Sequence, residues 1–144
     1  MLTILTNYYQ VKLIKNLSEH KTLFLWLALL WTAIVTFFCL VNFNRLPQVS
    51  IANFDKVGHL VFHFGITFFW FLYFKLQQSN TDSKALLRAF LISFFYGITI
   101  EILQGLFTDT REGDFYDVLA NMTGSLIAVA LVLIVIKFTR KSNK

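Results

Sequence analysis

The residues that could do chemistry in this chain fall in three short stretches of an otherwise apolar sequence: "FDKVGHLVFHFG" (54–65), "EILQ" (101–104) and "TREGDFYDVLANMTGS" (110–125). Asp55, His59 and His63 are four residues apart, so on a helix they line one stripe. Glu101 and Gln104 are three apart and share a face. Asp114, Asp117, Asn121 and Gly124 follow steps of three, four and three, again one face of a helix that starts near Asp114. Carboxylates beside an imidazole can exchange protons, so Glu101 or Asp117 as general base with His59 as acid–base partner forms a candidate catalytic set. The same groups, with Lys56 and Arg111, can instead hold a polar ligand, since Arg pairs with phosphate or carboxylate in a bidentate manner. "HLVFH" offers two imidazoles at a spacing that a metal could bridge, His59 and His63, with Glu101 or Asp117 as a third ligand. That spacing is common by chance, and no metal and no cofactor is assigned from it. The alternative to all of these is a salt-bridge network that does no more than fix how helices pack.

What positions these groups follows from composition. The chain has 144 residues, enough for one domain, of which 56% are hydrophobic and 15% charged, with 17 Phe, one Pro and a mean hydropathy of +0.61. A water-soluble domain of this size has too much surface for its volume to hide so many apolar groups, so lipid is the expected solvent. Four apolar runs, at about 22–41, 57–74, 85–107 and 115–138, are each about long enough to cross a hydrocarbon layer of roughly 30 Å as a helix. The fold class expected is therefore all-α, a polytopic bundle of four transmembrane helices. Residues 1–21 lack the apolar core and small-residue cleavage site of a signal peptide. Leu5, Tyr9, Leu13 and Leu17 recur every four residues there, as in a surface-lying amphipathic helix, although a frayed basic tail fits the composition too. Residues 22–138 form the membrane domain and 139–144 a basic tail. The net charge of +5 comes from basic residues that flank the apolar runs without interleaved aromatics, which argues against nucleic acid. There is no serine elbow, and Cys39 has no base beside it in sequence, so covalent catalysis finds no support.

Lys and Arg counts set the expected orientation. With the N-terminus in the cytoplasm, ten of the 13 basic residues lie on the cytoplasmic side and only Arg45, Lys56 and Arg111 lie outside. An even number of spans returns the C-terminus to the cytoplasm. The three polar stripes then converge at the outer ends of the second, third and fourth helices. Glu101 is the most telling member: it lies six residues, about 9 Å, inside its apolar run. A carboxylate there is costly unless paired, and such residues are functional candidates by default.

"DKVGH" (55–59), "EILQ" (101–104) and "REGDFYDVLANMTGS" (111–125) resemble, in order, the motifs of the VanZ-like family of bacterial membrane proteins. The resemblance implies a shared polar set of Asp55, Lys56, His59, Glu101, Gln104, Arg111, Asp117 and Asn121, with Asp114 and Gly124 as further members. His63 departs from it, because an aromatic commonly stands there. The family's namesake is associated with reduced susceptibility to the glycopeptide teicoplanin, while most relatives have no established biochemical activity. The resemblance therefore implies a protein of the bacterial cytoplasmic membrane, its motif residues on the extracytoplasmic side and its partners membrane lipid, a lipid-linked cell-wall precursor or a lipoglycopeptide. The competing expectation is a membrane-embedded hydrolase or transferase acting on a lipid-linked envelope precursor. A third is an assembly factor whose polar network only locks the helices together.

Overall fold

Four helices make up all regular structure among the described residues: α1 (Leu2–Leu40), α2 (Phe54–Lys75), α3 (Asp82–Phe107) and α4 (Phe115–Ser142). The computed structural model describes the backbone of residues 2–41, 54–77, 81–107 and 114–142, and side chains within 20–41, 55–77, 81–107 and 114–138. Each helix contains one stretch long and apolar enough to cross a membrane: His20–Leu40, Asp55–Lys75, Asp82–Phe107 and Phe115–Phe138. Helices are the natural form for such sequences, because in lipid the backbone must satisfy its own N–H and C=O groups.

Hydropathy locates the spans and the start of α4, but places the starts of the other three helices too late. α2 opens at Phe54 instead of Val57, so Asp55 and Lys56 are helical, and Asp55 sits in the first turn where the helix dipole favours a negative charge. α3 opens at Asp82, and Thr81 caps it by accepting a hydrogen bond at Oγ1 from the Lys84 N–H (3.3 Å). α4 opens at Phe115, capped by Asp114, whose Oδ1 accepts from the Tyr116 N–H at 2.8 Å. α1 is continuous from Leu2, so the basic N-terminal segment and the first span are one helix of 39 residues.

α2 packs against each of the other three helices, and among the described residues α1 and α4 do not touch. The tightest approaches occur at glycines. A Cβ on Gly124 would overlap the Leu60 carbonyl, so α4 and α2 meet there backbone to backbone. A Cβ on Gly65 would run into the indole of Trp31, whose Nε1 donates to the Phe62 carbonyl at 3.0 Å and ties α1 to α2.

The interior is divided along its length. Phe71, Ala85, Leu86, Ala89 and Val132 form an apolar cluster towards the end where α2 finishes and α3 begins. Val35, Cys39, Ile66 and Ile100 form a second one between α1, α2 and α3. The remaining buried residues include His59, His63, Thr67, Ser93, Glu101, Gln104, Asp117, Asn121 and Ser125, whereas Trp26, Leu106, Phe107, Phe115 and Phe138 are more than half exposed. Polar groups inside and large apolar groups outside invert the arrangement water selects, and fit a bundle bathed in lipid.

Candidate functional site

At one end of the bundle the start of α2, the last turns of α3 and the start of α4 meet, and nearly all of the described motif residues gather there. Lys56 comes first from the end. Its Nζ donates to Asp114 Oδ2 at 2.9 Å and to Asp117 Oδ1 at 3.3 Å, joining α2 to the cap and first turn of α4. Asp114 lies outside the spans, and its hydrogen bonds from Lys56 and from the Tyr116 N–H hold its carboxyl below the usual carboxylate range.

One turn deeper lies His59, only 2% exposed, with Glu101 and Asp117 at 6% each and Asn121 at 3%. Asn121 Nδ2 donates to Glu101 Oε1 at 3.0 Å, so the amide oxygen of Asn121 faces His59. That oxygen lies 3.1 Å from His59 Nδ1, and Glu101 Oε1 lies 3.3 Å from the same nitrogen. Both neighbours can only accept, so Nδ1 carries a proton and donates it to them. The other ring nitrogen, Nε2, is directed at Asp55 Oδ1 (4.0 Å) and Asp117 Oδ2 (3.9 Å). An imidazole oriented through one nitrogen by a carboxylate, with its other nitrogen in a polar cleft, is the arrangement of a general base and of a metal ligand alike.

His63, on the same stripe as His59, meets other partners. Its Nδ1 is 2.9 Å from Ser93 Oγ on α3, Ser93 Oγ is 2.8 Å from Ser125 Oγ on α4, and Ser125 donates to the Asn121 carbonyl at 3.0 Å. Gly97 leaves the room for this: a Cβ there would stand 2.9 Å from His63 Cε1 and 3.3 Å from Asn121 Nδ2. Polar contacts thus run from Lys56 inward to His63. Three buried atoms, His63 Nε2, Thr67 Oγ1 and Glu101 Oε2, have no hydrogen-bond partner among the described residues.

Asp55, Lys56, His59, Glu101, Asp114, Asp117 and Asn121 are therefore brought together. Gln104 turns the other way: its Nε2 donates at 3.0 Å to the carbonyl of Cys39 in the last turn of α1. Arg111, with Asp109 and Glu112, lies outside the described residues. Among the described residues, Asp55, His59 and Asp117 place three metal-ligating atoms within 4.8 Å of one another. Ser93 was invisible in the sequence, since a lone serine in "FLISFF" shows no partner. Beside the cluster, α3 and α4 bound a cleft of about 470 Å³ lined by Glu101 and Asp114 and by Ile102, Gly105, Leu106, Phe115 and Val118.

No curated protein and no solved structure matches the chain. Residues 2–136, nearly its whole length, match the family model described as VanZ/LLP1, and the chain belongs to that family of four-helix membrane proteins.

Proposed function

We propose that this protein binds a lipid-anchored component of the bacterial envelope, a lipid-linked cell-wall precursor or an acylated glycopeptide such as teicoplanin, at the polar end of its bundle. The reading places the protein in the cytoplasmic membrane with that end facing outward, as the Lys and Arg distribution favours. The observation that carries it is the α3–α4 cleft. One part of its lining is carboxylate (Glu101, Asp114) and the rest is apolar (Ile102, Leu106, Phe115, Val118), which matches a molecule with a polar head and an acyl tail. Lys56 is already engaged by two carboxylates, so the cluster as described offers acceptors to hydroxyl, amide and amine groups of a head group. Teicoplanin tolerance of a susceptible host expressing the protein tests this. Wild type is expected to raise tolerance, and Glu101→Gln or the cleft-filling Gly105→Phe to remove the gain. Unchanged tolerance for wild type and Glu101→Gln alike overturns the resistance role, and failure of a photoreactive lipid-linked precursor to label the cleft overturns the precursor.

The burial of His59 between Glu101 and Asp117 favours a second reading, a hydrolase or transferase acting on a lipid-linked precursor. In it, Asp117 or Glu101 serves as base and His59 as the acid–base group. Turnover of a labelled lipid-phosphate or acyl donor, lost in His59→Ala, supports it; no turnover across a broad lipid panel removes it.

A further inference from the structure

We propose that Asp55, His59 and Asp117 form a binding site for a divalent cation of the zinc class, with Glu101 and Asn121 as the groups that orient its histidine ligand. The argument starts from a conflict of acceptors. His59 Nδ1 faces Asn121 Oδ1 at 3.1 Å and Glu101 Oε1 at 3.3 Å, so its proton is committed to that side. Nε2 then presents a lone pair, and what it meets is Asp117 Oδ2 at 3.9 Å and Asp55 Oδ1 at 4.0 Å. Three electron-rich atoms from two helices, all within 4.8 Å of one another, converge where a cation would hold them together. His59 is 2% exposed, and no hydrogen bond to Nε2 is present among the described residues, so this ring nitrogen is aimed into the carboxylate pair from a buried position.

The surroundings are those of a metal ligand set. Lys56 takes the far oxygen of Asp117, Oδ1, at 3.3 Å and so turns Oδ2 towards the imidazole. Glu101 behind Nδ1 completes a carboxylate–histidine–cation line, which fixes the tautomer and raises the basicity of the coordinating nitrogen. One imidazole and two carboxylates suit zinc among the common divalent ions, and three protein ligands leave a coordination position for water or a ligand oxygen. Bonds of about 2.1 Å in a tetrahedron put donor atoms about 3.4 Å apart, so the two carboxylate oxygens each need to approach His59 Nε2 by only about half an ångström, within a group that already spans no more than 4.8 Å. Asp55, with 47% of its side chain exposed, can make that movement by rotation.

The site does not depend on the ligand proposed above, and it is tested on the purified full-length protein without any lipid-linked molecule. After chelator treatment, tag-free protein in nanodiscs is titrated with Zn²⁺ against a chromophoric competitor and, separately, with Co²⁺ for its visible ligand-field bands. A single bound ion per chain is expected, with Co²⁺ bands of a nitrogen–oxygen site and a higher melting temperature in the bound form. Asp55→Asn and His59→Gln are expected to lose binding, and Glu101→Gln to weaken it about ten-fold. Asp55→Asn changes a half-exposed side chain and keeps its shape, so circular dichroism separates loss of metal from loss of fold. His20→Gln, outside the cluster, is expected to bind as wild type does. Substoichiometric binding by wild type, binding retained in both Asp55→Asn and His59→Gln, or binding lost in His20→Gln overturns the site. So does ¹⁵N spectroscopy showing His59 with protons on both ring nitrogens in metal-loaded protein.

Discussion

Asn121 is the residue on which the buried cluster turns. Its amide donates to Glu101 and accepts towards His59, while its backbone carbonyl accepts from Ser125, so three helices meet through one side chain and its own peptide group. Asn121→Leu would leave a buried carboxylate and a buried imidazole without that partner. It should lower stability by about 1–3 kcal/mol, read as a fall in the melting temperature of the purified protein. Asp114 carries a pH signature instead. Its folded carboxyl is held below the ordinary value by Lys56 and the Tyr116 N–H. Its contribution to stability is therefore complete above the unfolded carboxylate range and is lost as pH falls through the lowered folded value. Melting temperatures across pH should show wild type above Asp114→Asn at neutral pH, with the gap closing on the acid side. At this scale most of the cluster was legible, because Asp55, His59, Glu101, Asp117 and Asn121 announce themselves as polar groups at helical spacing in apolar runs. The partner of each was not. His59 and His63 share a stripe, yet one turn of rise is enough to send the first to Glu101 and the second to Ser93.

Between elements, the site depends on how closely α2 and α4 approach. Gly124 touches the Leu60 carbonyl, one residue beyond His59, so a methyl group there must push the helices apart at the depth where Asn121 reaches across. Gly124→Ala should destabilise by about 1–3 kcal/mol and loosen the cluster with it. Gly58 is the control: the nearest atom to a Cβ there is Phe62 Cε2 at 4.0 Å, an ordinary contact, so Gly58→Ala should melt at or above the wild-type temperature. The existence of four helices could be read from hydropathy alone. The start of α4 could be read as well, but those of α2 and α3 could not, because polar first turns such as Asp55–Lys56 and caps such as Thr81 carry no hydrophobic signal. Nor could the task of Gln104, since only the packing of α3 on α1 brings the Cys39 carbonyl within its reach.

Taken as a whole, the molecule is built around α2, with α1 as an outlying helix fastened through Trp31, Gln104 and the 2.8 Å contact of Thr36 with Tyr96. The charge bias of ten basic residues against three predicts that both chain ends stay in the cytoplasm. A C-terminal green fluorescent protein fusion should then fluoresce and an alkaline phosphatase fusion should be inactive, and the reverse pattern would turn the bundle over. Among the described residues the buried polar contacts run inward from the Lys56 end as far as His63 and Ser93, and Phe71, Ala85, Leu86, Ala89 and Val132 form an apolar cluster towards the opposite end. Among the described residues this polar recess is a cul-de-sac, ending against apolar side chains with no polar through route to the far end. Liposomes loaded with the purified protein should therefore leak ions and protons no faster than bare ones, and faster leakage would reveal a through route.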